Sequence, residues 1–405
     1  MKYVSLPLPM IELGKTIPVD VLDPSGKLLL RRGQVIFSEQ QRELLRAHQA
    51  SMTSSDAHAW QRSFDRMVQN MIRDGVDVAI IASATMPAEI TEADYGDGRE
   101  VNGSWLDLQE LLLGLLYQGK AALNPLPRLD GIERRALELL QADPEESLFV
   151  LFQALADLTL SYCATHALLT AVVCELTTTK LGLPESVRRV VFRSALTMNI
   201  GMARAQGALA LQMSTPSEDQ RKLIREHPPL SFEILQSFGL TDQDLLDIVH
   251  WHHELNEASG LTRNLESRRI LRMADSFVAK MAPRKSRLAM SPIGAAKSLF
   301  LGATADAAQL GSAMTTVVGF YPPGTYVHLA NGEEAVVIAR GLRADQPQAV
   351  SIVNAAGMPL ANYLHRDTSE PPFAIRAPIN AQRIKVKVSL EKVHKLLKEL
   401  KERGA

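Results

Sequence analysis

Cysteine is nearly absent: the 405 residues hold two, Cys163 and Cys174. They stand eleven positions apart in one stretch of helical patterning, about 16 Å along a helix axis and beyond the reach of a disulfide. That excludes a disulfide-built scaffold and fits reduced core thiols in a cytoplasmic protein. Long apolar runs are missing too. SLFVLFQALADLTL comes nearest, but Gln153 and Asp157 interrupt it, and it falls short of the ~18 residues of a membrane span. The opening MKYVSLPLPMIELGK lacks a basic region leading into an apolar run, which argues against a signal peptide. A formal net charge of −1 leaves no electrostatic footprint for DNA or an anionic membrane. There is no internal repeat, no phosphate-cradling glycine loop and no GxSxG elbow, so the common nucleotide-binding and serine-hydrolase signatures are excluded.

What is present is a globular chain, 46% apolar and 22% charged, long enough for two or three domains. Residues 1–50 read as a small β-rich module, with apolar runs on either side of the turn Asp23-Pro24-Ser25-Gly26. Ser38-Glu39-Gln40-Gln41 reads as a capping box that opens a closing helix. Residues 51–104 hold one helix, TSSDAHAWQRSFDRMVQNMIRDG, and the acidic connector EITEADYGDGREVNGS. Residues 105–315 read as nearly all helix, with Thr241 expected to cap one helix and Pro228 and Pro229 expected in the first turn of another. Residues 316–405 return to strands. Asn331-Gly332 marks a hairpin, IKVKV at 384–388 reads as a last strand, and SLEKVHKLLKELKERG as an amphipathic terminal helix.

Five of the ten histidines fall between residues 166 and 253. His166 lies in SYCATHALLTAVV, His227 opens HPPLSFEIL, and His250, His252 and His253 crowd into HWHHE; Asp275 follows in RILRMADSF. Imidazoles and a carboxylate on successive helices are how a helical bundle builds a transition-metal site. Each residue alone has a plainer use. His166 on an apolar helix suits a hydrogen-bonded core, and Asp275 suits an ion pair with Arg272 one turn away.

Taken in order, these motifs resemble the HD-GYP family, metal-dependent phosphodiesterases of the bacterial second messenger cyclic di-GMP. The resemblance spans roughly residues 105–345, and YPPGTYVHLANGE is similar to the β-rich tail that follows many such domains. It implies a mainly α fold: an HD-superfamily helical bundle between an N-terminal β-rich module and a small C-terminal β unit with a terminal helix. It places His166, His227, His252, His253 and Asp275 at metal-ligand positions. The namesake His-Asp pair belongs in SALTMNIGM, where the family reads close to ALLHDIGK; here it is Met198-Asn199, and the following lysine is Met202. In the family the aspartate bridges two metals. Asn199 keeps its shape without its charge, and the thioether of Met198 is a poor donor for iron, manganese or magnesium. The implied cofactor is none, or one weakly bound divalent transition metal, iron or manganese.

The resemblance departs elsewhere as well. Ser231 replaces the family's usual glycine, and the Gly-Tyr-Pro segment shrinks to Gly260-Leu261-Thr262 within LNEASGLT. Arg284 and Arg287 in APRKSRLAMSP match a basic RxxR pattern that in the family can meet the dinucleotide phosphates. The alternative is a basic loop favoured by a helix C-terminus. The expectation is therefore a catalytically degenerate, cytoplasmic signalling or scaffold protein. Its partners would be signalling proteins, diguanylate cyclases among them, and cyclic di-GMP itself, with no DNA and no membrane. The alternatives are a residual metal-dependent phosphodiesterase, with Glu254 acting through water, and a ligand-free adaptor resembling the HDOD group.

Overall fold

The Asp23–Gly26 turn closes a hairpin as its chemistry demands. In the computed structural model, which describes residues 3–402 apart from 75, 77–79, 82, 96–100, 102, 255, 257 and 301–304, Gly26 sits at φ +85°. Asp23 Oδ1 accepts from the amides of Ser25 and Lys27 at 2.8 and 2.9 Å. The hairpin belongs to an antiparallel sheet of β1 (Val4–Ser5), β2 (Val21–Leu22), β3 (Leu28–Leu30) and β4 (Ser51–Met52), in the order β1-β4-β2-β3. Helix α1 (Glu39–Ala47) starts at Ser38, whose side chain accepts from the Gln41 amide. Gln41 reaches back to the Phe37 amide, one residue before the expected partner. With α2 (Ser54–Arg73), the sheet encloses a core of Ile17, Val19, Ile36, Met52 and Trp60.

The chain forms two compact units, residues 1–135 with 237–239 and residues 136–236 with 240–405. Helix α3 (Trp105–Gln118) and the first part of α4 (Pro125–Ala142) therefore group with the N-terminal strands. The middle of the acidic connector, 96–100 with 102, lies outside the described residues.

The second unit is built around α6 (Tyr162–Lys180), which is buried on nearly every side. A helix buried on most of its faces belongs at the centre of a bundle. It packs against α5 (Pro144–Ala156), α7 (Glu185–Thr197), α8 (Ala203–Leu211), α11 (Leu265–Met281) and α13 (Ala305–Val318). Helices α9 (Glu218–Ser237), α10 (Gln243–Trp251) and α12 (Pro292–Phe300) complete the helical part. No helix among the described residues is long and apolar enough to cross a membrane.

A five-stranded antiparallel sheet follows: β5 (Tyr326–Leu329), β6 (Glu334–Ala339), β7 (Gln348–Val353), β8 (Pro359–Asp367) and β9 (Ile375–Ile379), in the order β8-β7-β6-β5-β9. The expected hairpin is there, with Gly332 at φ +88° between β5 and β6. YPPGT lays the sheet against α5. Gly324, at φ +90°, comes so close that a Cβ would stand 2.6 Å from the Phe149 carbonyl, and the Gln153 amide donates to the Gly324 carbonyl at 2.5 Å. Arg340 forks onto Glu145 through Nε and Nη2 at 2.7 and 2.5 Å. Helix α14 (Leu390–Glu402) buries Val393 and Leu397 against the sheet.

Three local expectations are corrected. The cap of α10 is Asp242 rather than Thr241; its carboxylate accepts from the amides of Asp244 and Leu245, both at 3.0 Å. Pro228 and Pro229 lie inside the 20-residue helix α9, not in its first turn. IKVKV forms no ladder, although Ile384, Val386 and Val388 pack alternately into the core of the sheet. Alternation reported which side chains are buried, but no neighbouring edge received the backbone.

Candidate functional site

The bundle brings the five predicted ligands together as a trio and a pair. His227 comes from the middle of α9, while His252 and His253 follow immediately after α10. Their ligand atoms all lie within 4.8 Å of one another. His227 and His252 are fully buried, and His253 reaches the exposed side of the group. His250, which matches no ligand, turns away onto Phe232 and Trp251, with ring centroids 5.0 and 4.5 Å away.

Hydrogen bonding fixes the tautomers of the two buried rings. His227 Nδ1 lies 2.7 Å from the Ile224 carbonyl, and His252 Nδ1 lies 2.7 Å from the Val249 carbonyl. A carbonyl only accepts, so each Nδ1 carries the hydrogen. Burial holds His227 at about 4 and His252 at about 3, the latter helped by His253 and His227. Both rings are then neutral at pH 7, and each Nε2 offers a lone pair. Those two Nε2 atoms face each other at 3.2 Å. Two acceptors at that distance do not hydrogen-bond each other, and facing lone pairs of this kind suit a shared cation. Two imidazole nitrogens on one ion at about 2.0–2.1 Å stand roughly 2.8–3.4 Å apart in right-angled to tetrahedral geometry. The trio therefore fits one divalent transition metal, with the bound-ring tautomers already set by backbone carbonyls.

The other two predicted ligands satisfy each other. His166 Nε2 stands 2.7 Å from Asp275 Oδ1. Burial alone would raise the Asp275 carboxyl, but the His166 hydrogen bond and the neighbouring imidazoles outweigh it and hold the group at about 2. Its charge is felt by His227, His252 and His253, so pair and trio adjoin. Arg272, the alternative partner of Asp275, instead donates to the His253 carbonyl at 2.6 Å.

Met198 is fully buried and Asn199 nearly so, in the turn between α7 and α8. Ser231 clamps that turn to α9: its hydroxyl donates to the Met198 carbonyl at 2.7 Å and accepts from the Gly201 amide at 3.0 Å. Sequence reasoning saw Ser231 only as a lost glycine, and missed this use. It also missed Tyr162, whose hydroxyl stands 3.4 Å from His166 Nδ1. Its position four residues before His166 puts both on one helix face, and that spacing was the available signal.

Arg284 and Arg287 close one tight turn through reciprocal backbone bonds of 2.9 and 3.0 Å. The Arg284 guanidinium lies 5.6 Å from the centroid of the Tyr162 ring, beside the His166–Asp275 pair. Arg287 is exposed and donates to the Ala279 carbonyl at 2.8 Å, in the last turn of α11. In the reduced loop, Gly260 has φ +67°, and a Cβ there would stand 2.5 Å from Asp247 Oδ1. Leu255 and Glu257 of the same loop lie outside the described residues.

This geometry coincides with a recognisable domain. Residues 150–307 match the family model of the HD domain, a span that contains the trio, the pair, the Met198-Asn199 turn and both arginines. Among solved structures the chain is similar to Bd1817, a HDG"Y"P protein from Bdellovibrio bacteriovorus, at 14% identity and a TM-score of 0.40, over 76% of this chain and 98% of that one. No curated protein matches it.

Proposed function

We propose that this chain is a catalytically degenerate HD-GYP-like protein that serves cyclic di-GMP signalling as a binding or scaffold module. The observation that carries this is the turn where a metal-holding His-Asp pair is expected. It presents a buried thioether, Met198, and a neutral amide, Asn199, while His166 and Asp275 spend their ligand atoms on each other. What remains is the trio His227, His252 and His253, enough for one metal of the iron or manganese kind. An all-imidazole set suits iron or zinc better than manganese, which favours oxygen ligands. When bound, the metal would supply Lewis acidity. Phosphodiester hydrolysis also needs an activated water and stabilised developing charge, both supplied by bound metal, and the chain has Asn199 where a carboxylate would help hold that metal.

On this reading the cytoplasmic partners are signalling proteins such as diguanylate cyclases. Arg284 is the residue best placed to meet a nucleotide phosphate, since Arg287 is engaged at a helix C-terminus. The test is calorimetric titration of cyclic di-GMP into the full chain, paired with a turnover assay. Binding without turnover is expected; robust turnover would overturn the proposal. The preformed trio favours one competing reading, a residual one-metal hydrolase with Glu254 beside it. Slow turnover abolished by chelator would select that reading.

A further inference from the structure

We propose that Pro228 is a positioning residue for the histidine trio: by lacking an amide hydrogen, it frees the Ile224 carbonyl to hold the His227 ring. The inference rests on reading the trio as a metal site. In a helix, the carbonyl of residue 224 accepts from the amide of residue 228, and proline has no such amide. The Ile224 carbonyl is thereby left without its helical donor, and His227 Nδ1 takes it at 2.7 Å. The proline has to follow the histidine directly for this to work, and it does.

The second buried ring repeats the arrangement by other means. His252 Nδ1 bonds the Val249 carbonyl, again three residues earlier, at 2.7 Å. That carbonyl would accept from the His253 amide if α10 continued, but α10 ends at Trp251. In both cases the ring bonds the carbonyl whose helical donor is the next residue, and that donor is lost: to proline in α9, to helix termination in α10. The result is the same Nδ1–H tautomer twice, and two Nε2 lone pairs at 3.2 Å. Pro229 supplies a control. It is exposed, and the carbonyl it deprives is that of Arg225, to which His227 does not donate.

The experiment uses the full chain as Pro228→Ala and Pro229→Ala, with three measurements. Long-range nitrogen–proton NMR on histidine-labelled, metal-free protein reads the tautomer of His227. Competition with a chelating dye reads Zn²⁺ affinity, and thermal melting reads the fold. For Pro228→Ala, we expect the Nε2–H tautomer to appear and Zn²⁺ affinity to fall about 10–100-fold, the usual effect of losing a group that orients a ligand. Its Tm should not fall, because an interior proline is removed. Pro229→Ala should keep wild-type tautomer and affinity. Unchanged tautomer and affinity in Pro228→Ala would overturn the proposal, as would a lost fold, which would make the proline structural. If wild type binds no Zn²⁺, the metal-site reading fails, and the tautomer measurement alone still decides the role of Pro228.

Discussion

His227 Nε2 and His252 Nε2 point at each other across 3.2 Å, and neither carries a hydrogen. Burial keeps both rings neutral near pH 7, so the facing lone pairs suit a shared cation. The neighbouring pair shows the opposite condition: His166 Nε2 and Asp275 Oδ1 bond each other at 2.7 Å. The trio and the pair thus differ in what their facing atoms offer: lone pairs in one, a closed hydrogen bond in the other.

Metal content is the first consequence. Protein expressed in iron- and manganese-supplemented medium should carry no more than one metal per chain by elemental analysis. His252→Ala should bring that to background, because it removes one of the two facing lone pairs. A stoichiometry near two would show that the Met198-Asn199 turn and the His166–Asp275 pair still hold a metal, and would sink the one-site reading.

The clamp on the Met198-Asn199 turn gives a stability test. A Cβ at Gly201 would stand 2.7 Å from the His227 carbonyl and 2.8 Å from both Leu230 Cβ and the Ser231 amide. Gly201→Ala should therefore cost about 1–3 kcal/mol through overpacking. Ser231→Ala should cost about 1–3 kcal/mol by leaving the buried Met198 carbonyl without its donor. Both changes loosen the same contact, so the double variant should lose less than the two together. Urea denaturation measures all three. A neutral Gly201→Ala would mean that the turn is not pressed against α9.

Much of this was legible in the sequence, for identifiable reasons. The bundle, the flanking β-rich parts, the Gly26 and Gly332 turns and the Ser38 cap each follow from a local rule of backbone conformation. The ligand candidates followed from order and spacing along the chain. Their division into a trio and a pair did not, because whether His166 meets a metal or Asp275 depends on how α6 and α11 approach. Pro228 was misplaced for a related reason. A first-turn position is the usual home of proline, and only the three-dimensional position of the His227 ring shows what an interior proline contributes. IKVKV reads as a strand by alternation, which reports burial and not the presence of a hydrogen-bonding neighbour.

Restoring the namesake pair should not restore an enzyme. Met198→His with Asn199→Asp puts a polar ring where the side chain is fully buried, and His166 and Asp275 would have to break their bond to act as ligands. We expect no robust turnover of cyclic di-GMP, with a stability loss of about 1–3 kcal/mol where the new imidazole finds no partner. Robust turnover by the double reversion would show that the missing pair was the sole defect, and that Ser231 and the reduced Gly260 loop are neutral changes.

Acid should probe the C-terminal sheet through Glu333. Arg366 forks onto this carboxylate at 2.8 and 2.9 Å, and the Ser351 hydroxyl donates to it at 2.5 Å. The Arg366 hydrogen bonds, against some burial and with help from Ser351, bring Glu333 from 4.5 down to about 2. Among the described residues, Glu370 is the other acid acting on Arg366. The folded pKa is the lower one, so the unfolded chain binds the proton first as pH falls. The stabilisation is complete above pH 4.5 and disappears as pH falls towards 2. Glu333→Gln keeps the shape and removes the charge. Urea denaturation at pH 7 should show the variant less stable, with the gap to wild type narrowing steadily below pH 4.5. A gap that stays constant down to pH 3 would mean that packing at this position matters, and that the ion pair does not.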